Sequence, residues 1–445
     1  MKKMKKLIAV FLSALMCLSF CVPVFAEGNT DYTIVNPYES VDWSTYKTYL
    51  ANLHTHTTAS DGDVTLTDMV EAYYEKGYDI LAITDHGVIN KGWKEDRKTN
   101  GVFNKFRKVY PMSEEDYDRI TQGTDRDGRG MIDIPDGIEI NMAVVSKTHV
   151  NGYFTDYGQG EWGIENDYKT AVSMIEQRGG YSVLNHVGDW VNSNNYPERA
   201  HDPYYINYFA DIFVNNKRSC LGMEIVNSTD NVTRYDRALW DELLQVVIPQ
   251  GRNIWGFSDD DSEQLYEIGR SFELFPLKEN TVKNVKNAMI SGAFFSASRF
   301  YKTDLAHPFE GDGQVPLVKS ITVNQDENTI TVVPDKSRDC EKIEWIANGK
   351  VISNDYTIDL NDFENELGCY IRFQLKGKGG YTYSQPFELK YEGRVDKPIP
   401  ASPVPNNIFG KMFEKIYHTR LWAVTSLILE KIEIKLGILP KDKVK

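Results

Sequence analysis

The stretch LHTHTTASDGD, from Leu53 to Asp63, holds two histidines two residues apart, with Asp61 five residues beyond the second. In an extended chain, side chains at i and i+2 leave the same face, so His54 and His56 can grip one metal ion or face two adjacent ones. His86 closes YDILAITDH, His186 closes YSVLNH, Glu139 sits in GIEI, and WGFSDDDSE gathers Asp259, Asp260, Asp261 and Glu263. Imidazole with carboxylate and no thiolate suits Zn, Mn or Fe better than a purely structural zinc. Taken singly, each histidine reads as a satisfied core residue and 53–63 as a polar turn. Together they read differently: of eight histidines, His54, His56, His86 and His186 all fall at predicted strand ends.

The elements that must carry these residues alternate. TYLANLHTH is strand-like; Thr65 and Asp68 form a capping pair, and Leu66, Met69, Val70, Tyr73 and Tyr74 make one helical face that stops at Gly77. YDILAITDH is a buried strand, completing a βαβ unit with two parallel strands. DGIEINM, a helix from Asp167 to Gln177, YSVLNH, CLGMEIVNS, a helix from Tyr235 to Val247, GRNIWGFSD, a helix from Thr281 to Ser291 and GAFFSAS continue the pattern. Parallel strands and helices alternating over about 250 residues predict a barrel-like or doubly wound α/β domain, with chemistry at the carboxyl-terminal rim. After Pro308 the period becomes two, with Asn/Gly/Asp turns, which predicts a small antiparallel β domain, a sandwich.

The expected domains are a signal peptide at 1–26, the α/β domain at 27–308, the β-sandwich at 309–394, a Pro-rich linker at 395–407 and an amphipathic segment at 408–445. Lys2, Lys3, Lys5 and Lys6 precede the apolar run Leu7 to Phe25, and Val24-Phe25-Ala26 offers a cleavage site; the expected destination is secreted or cell-surface. Losing those four lysines takes the formal charge from −14 to −18. No basic stripe is visible, which argues against nucleic acid as the main partner. In 408–439 the apolar residues fall on one side, but Glu430, Lys431, Glu433 and Lys435 make a poor membrane span. Packing on its own protein is the favoured reading and contact with a membrane surface the other. Cys340 and Cys369 are candidates for one disulfide. Asp125, Asp127 and Gly128 in GTDRDGRGM begin like a calcium loop but lack its later ligands, so a surface turn is expected.

The ordered motifs over residues 48–300 resemble the polymerase and histidinol phosphatase (PHP) family. His54-Thr55-His56-Thr57 is similar to its opening HxHT, Asp61-Gly62 to its SDG, GYDILAITDH to its second motif, Glu139 to its bridging glutamate, His149 to its next histidine and His186 to that of its NHP motif, where Val187 replaces proline. The resemblance implies a distorted (β/α)7 barrel and two or three divalent ions. His54, His56 and Glu139 with a final aspartate would hold the first, Glu139, His149 and His186 the second, Asp61 and His86 most of a third. The family closes on aspartate, any residue, histidine, and WGFSDDDSE has no histidine. Anchored on Trp255-Gly256, Asp261 is the aspartate and Glu263 stands for the histidine; anchored on Ser258, Asp259 is the aspartate and Asp261 the substitute. The first register is preferred.

The implied activity is hydrolysis of phosphate mono- or diesters in a small phosphorylated substrate by a metal-bridged hydroxide, with Asp61, Glu139 and Asp261 as catalytic candidates. Arg270, Arg199 and Lys91 are candidates for meeting the phosphate. The alternatives are an amidohydrolase-type C–N hydrolase on the same metals, or a surface protein that binds metal and ligand without turnover.

Overall fold

The computed structural model describes residues 30–97, 109–141, 146–160, 167–302, 308–405 and 407–436; the segment read as a signal peptide lies outside the described residues. Strand β1 (Thr33–Val35) is followed by β2 (Lys47–Asn52), helix α1 (Leu66–Glu75), β3 (Ile80–Ala82), α2 (Glu114–Gln122), β4 (Ile132–Ile134), β5 (Ile138–Asn141) and β6 (His149–Tyr153). Then come α3 (Tyr168–Arg178), β7 (Tyr181–Leu184), α4 (Val187–Val191), α5 (Pro203–Asn215), β8 (Cys220–Asn227), α6 (Asp236–Val247) and β9 (Trp255–Asp259). Strand β10 (Ser271–Leu277), α7 (Val282–Ser291) and β11 (Phe295–Ser298) close the α/β part. The caps read from sequence form: Thr65, Asp167 and Thr281 accept the N–H of Asp68, Thr170 and Asn284, each satisfying an otherwise unpaired helical donor.

Strands β2 and β3, β3 and β4, β7 and β8, and β8 and β9 pair in parallel, as the alternation requires. Other pairings depart from it. Strand β6 runs antiparallel to both β5 and β7, and β10 runs antiparallel to β2 and β11. The reason is chain length: β5 ends at Asn141 and β6 starts at His149, too short a connection for the crossover that parallel neighbours need. These strands lie in two sheets rather than one closed ladder, β5-β6-β7-β8-β9 in one and β10-β2-β3-β4 within the other. Two isolated parallel bridges join the sheets at their ends, Thr55 with Ser262 and His86 with Glu139.

The β-rich region follows two short strands, β12 (Phe300–Tyr301) and β13 (Phe309–Glu310). It comprises β14 (Val318–Asn324), β15 (Thr329–Pro334), β16 (Lys342–Ala347), β17 (Lys350–Ser353), β18 (Thr357–Asp359), β19 (Tyr370–Gly377), β20 (Gly380–Tyr383) and β21 (Phe387–Lys390). Strands β14, β15 and β18 form one sheet. The rest joins the α/β part, because β20 pairs with β11 and β1 pairs with β21. Cys220, Cys340 and Cys369 are free, which corrects the expected disulfide. Cys369 is buried against the Leu244 carbonyl, while Cys340 lies near Tyr356. Asp125 takes Arg119 and Tyr74 as partners, in keeping with a surface turn.

A buried ion pair reinforces the junction. Asp241 on α6 accepts from Arg372 Nε at 2.8 Å and Nη2 at 2.7 Å, and from the Tyr370 hydroxyl at 2.7 Å; Arg372 is fully buried. Removing one partner leaves a charge in a dry interior, which destabilises far more than the pair itself contributes. Asp241→Ala is therefore expected to lower stability by about 3–5 kcal/mol, measured by urea unfolding. A loss under 1 kcal/mol, about that of an exposed pair, contradicts this.

Candidate metal centre

The two bridges between the sheets are also where the histidines stand. The His56 N–H donates to the Ser262 carbonyl at 3.0 Å, the Asp261 N–H to the His54 carbonyl at 3.1 Å, and the Gly87 N–H to the Glu139 carbonyl at 2.9 Å. Backbone hydrogen bonds thus hold His54, His56, Asp261, His86 and Glu139 at one rim. His149, first residue of the reversed strand β6, reaches the same rim from the opposite direction.

Nε2 of His54 lies 3.1 Å from Nε2 of His56, 3.2 Å from Glu139 Oε2 and 3.2 Å from Asp261 Oδ1. His56 Nε2 lies 3.2 Å and 3.1 Å from the same two oxygens. Five of the six spacings among these four atoms are thus 3.1–3.2 Å, the closeness expected of donors that share one small cation. Two imidazole nitrogens turned toward each other between two carboxylate oxygens fit a shared cation, and the donor set fits a divalent one. A second group is His56, Asp61 and His86, and a third is His86, Glu139 and His149. Glu139 stands at the centre. Its Oε2 faces His54, His56 and, at 3.1 Å, His86; its Oε1 lies 3.1 Å from His149 Nδ1 and 3.5 Å from His186 Nε2. His86 Nδ1 is buried with Glu139 Oε2 as its neighbour at 3.1 Å but without hydrogen-bond geometry, a pairing that an ion between them would satisfy.

Burial works against charge on His54, yet Asp261, Glu139 and Glu224 outweigh it and hold its pKa well above the ordinary imidazole value. The same opposition, won by Asp61, Asp261 and Glu139, raises His56, and burial offset by Glu139 and Glu224 brings His186 to about 9. Burial would raise Glu139 and Asp261, but the surrounding imidazoles hold both well below the carboxylate range. Asp61 is the outward arm, 49% exposed against complete burial of His54 and Glu139. Its loop is held by Asp85, which accepts from the Thr57 N–H at 2.7 Å, Ser60 Oγ at 2.8 Å and Arg97 Nη1 at 2.7 Å. A Cβ at Gly62 would come within 2.8 Å of the His56 carbonyl carbon, so that turn requires glycine.

The three consecutive aspartates have three different surroundings. Asp259 turns inward to accept the Leu53 N–H at 2.6 Å, and burial beside Glu224 pushes its pKa up to about 8. Asp260 accepts the N–H groups of Gly269, Arg270 and Ser271 and hydroxyls of Tyr73 and Tyr78. Only Asp261, at a φ of 48°, joins the histidines. Glu263 is exposed, and among the described residues neither its carboxylate nor that of Asp259 belongs to a grouped donor set. His186, at a φ of 26°, also sits in the left-handed region, strain of the kind that collects at functional sites. Arg270 is engaged by Ser228 and Glu267, Lys91 by Asp136, and Arg199 by the Val191 carbonyl.

Sequence reasoning missed Glu224. Its Oε1 lies 2.7 Å from His54 Nδ1, and its Oε2 accepts the His186 N–H at 2.7 Å, so one carboxylate orients two histidines. Its signal was present: a single acid inside the wholly buried strand CLGMEIVN. Asn185, which donates to Glu139 Oε1 at 2.7 Å, was missed likewise.

An α/β scaffold with buried imidazole and carboxylate donors at strand ends defines a class of proteins built to hold divalent ions. Residues 52–251 match the PHP domain. No curated protein matches its sequence. Among solved structures it is similar to a two-domain protein from Bacteroides vulgatus containing a predicted PHP-like metal-dependent phosphoesterase, at 14% identity and a TM-score of 0.37, covering 83% of this chain and 92% of that one. It is also similar to the lesion-specific endonuclease PfuEndoQ from Pyrococcus furiosus, at 12% identity and a TM-score of 0.32, covering 55% and 56%. An amidohydrolase from Chromobacterium violaceum gives 13% identity and a TM-score of 0.28, covering 48% and 87%.

Because His54, His56 and His186 hold protons above the ordinary imidazole pKa, an ion entering at pH 7 must displace them. Binding of Zn2+ or Mn2+ is expected to release protons, and its apparent affinity to rise with pH. Calorimetry in two buffers of different ionisation enthalpy measures this; identical heats contradict it. In the same assay Glu224→Gln is expected to weaken metal binding by ~10–100-fold with the fold retained.

Proposed function

We propose that this chain is an exported hydrolase of phosphate mono- or diesters, with β2, β3 and β5 to β9 acting as a seven-stranded distorted barrel closed by the two bridges. The observation that carries the reading is the convergence of His54, His56, Glu139 and Asp261 donors at 3.1–3.2 Å. These four would hold one ion; the other oxygen of Glu139 with His149 and His186 would hold a second, and Asp61 with His86 contributes to a third. Bound there, divalent ions supply positive charge for the phosphoryl oxygens and an activated water.

The chain's own groups do the rest. Glu139, ionised and fully buried, keeps the imidazoles turned toward one another. Glu224 fixes the His54 ring so that Nε2, not Nδ1, faces the centre. Asp61, His86 and His149 are partly exposed, so substrate approaches from their side while His54 and His56 stay dry. Asp61 is held ionised against burial by His86 and His56, which suits it to hold an ion at the site's mouth. Export is supported by the basic start and apolar run of residues 1–26, and the β-sandwich reading by the two sheets of the β-rich region.

The test is a panel of phosphomonoesters, phosphodiesters and amides with metal-loaded protein. Phosphate esters are expected to be cleaved, and His54→Ala with His56→Ala to lose more activity than the ~10–100-fold typical of changes outside the ligand set. Cleavage of amides alone would transfer the site to C–N hydrolysis. No turnover with full metal content would make it a binding site.

A further inference from the structure

The last two helices leave their apolar sides uncovered. Helix α8 (Ile408–Tyr417) and helix α9 (Arg420–Lys435) follow the Pro-rich linker. Of the twenty large apolar side chains exposed among the described residues, eleven lie between 408 and 436. On α8, Phe409, Met412, Phe413 and Ile416 recur at helical spacing on one face, and Phe409 is 74% exposed. On α9, Leu421, Val424, Ile428 and Ile432 follow at i, i+3, i+7 and i+11, and Leu421 is 73% exposed. The segment packs on its own protein at the turn between the helices and at the start of α8.

That turn is well anchored. His418 stacks on Tyr208 at 5.1 Å between ring centroids and on Trp190 at 5.6 Å, and the Tyr417 hydroxyl lies 3.2 Å from that of Tyr205. The linker holds the start of α8: a Cβ at Gly410 would fall 1.8 Å from the Pro405 carbonyl oxygen, so only glycine permits this approach. Between these two attachments a cavity of 640 Å³ separates α8 from Arg199, Tyr204 and Tyr205. The pair of helices is thus fixed at its turn and its root; Phe409 and Phe413 border that cavity yet stay 74% and 49% exposed, and Leu421, Ile428 and Ile432 of α9 are exposed as well.

Charge identifies what covers them. Residues 408–445 carry eight lysines and arginines against four acidic residues, inside a chain whose formal charge is −14. The segment has the opposite sign to the body that bears it. No described helix is long and apolar enough to cross a membrane, so the segment does not read as a span. Apolar faces flanked by lysines, too polar overall to cross, match a helix lying in the plane of an anionic lipid surface. We propose that α8 and α9 form an in-plane anchor that docks the protein on an anionic bilayer, aromatic and aliphatic side chains entering the headgroup boundary and lysines meeting lipid phosphates. The acidic body is held off the same surface by its own charge.

The test is co-sedimentation of the full chain with phosphatidylcholine vesicles, with and without about one third phosphatidylglycerol, at low and high salt. Binding to the anionic vesicles is expected to exceed binding to neutral ones by at least ~10-fold and to fall with salt. Phe409→Ser with Phe413→Ser is expected to lose at least ~10-fold, since burial of apolar area drives insertion. Lys411→Glu with Lys415→Glu is expected to lose the preference for anionic lipid. All four positions lie outside the metal centre, so metal content and thermal midpoint should stay unchanged. Absence of binding, equal binding to both vesicles, or full binding by the phenylalanine variant overturns the proposal. So does a dimer in light scattering that the same variant dissolves, which would assign the face to a second copy of the chain.

Discussion

Glu139 is the constraint on which the centre depends. A carboxylate in a dry interior is unfavourable unless cations or donors surround it. Here His54, His56 and His86 face one oxygen, and His149, His186 and Asn185 face the other. The imidazoles cannot relax apart, because each is tied to a backbone seam or, for His54, to Glu224. The scaffold's irregularities follow from this demand. Reversal of β6 presents His149 at a rim that a parallel strand would reach only at its far end. Left-handed backbone at His186 and Asp261 turns two more donors inward. Such strain persists where surrounding structure over-determines it, and here the backbone bonds of two sheets do so.

What the sequence disclosed follows from what local pattern encodes. His54, His56 and His86 were legible because a short polar motif ends a recognisable strand, and period plus position give face and rim together. Strand direction is not encoded in period, so the reversal of β6 and the antiparallel β10 were invisible until connection lengths were known. The run Asp259-Asp260-Asp261 shows the limit most clearly. Three identical side chains end up facing the Leu53 N–H, a backbone nest and the histidines, and of the three only Asp261 takes a left-handed φ. Glu224 was hidden for another reason. A lone acid in an apolar strand announces a buried partner but not which one.

The β-rich region illustrates the same boundary at larger scale. Its period-two alternation predicted its strands, but nothing local predicted that β20 would extend the sheet of the α/β part through β11. The continuity, with the Asp241–Arg372 pair beneath it, makes the two parts one mechanical body. Hinge motion between them would have to break a ladder as well as a buried charge pair.

The pairing of β1 with β21 concerns the order of events. Thr33 meets Lys390, so the first strand among the described residues finds its partner only when nearly all of this sequence has been made. Closing so long a loop is entropically disfavoured, and pairings of this range slow folding. The start of the body must therefore wait, unpaired, while the centre around Glu139 assembles from nearer neighbours. As the chain is made amino terminus first, this ladder is a latch: it closes only on molecules that are complete through β21.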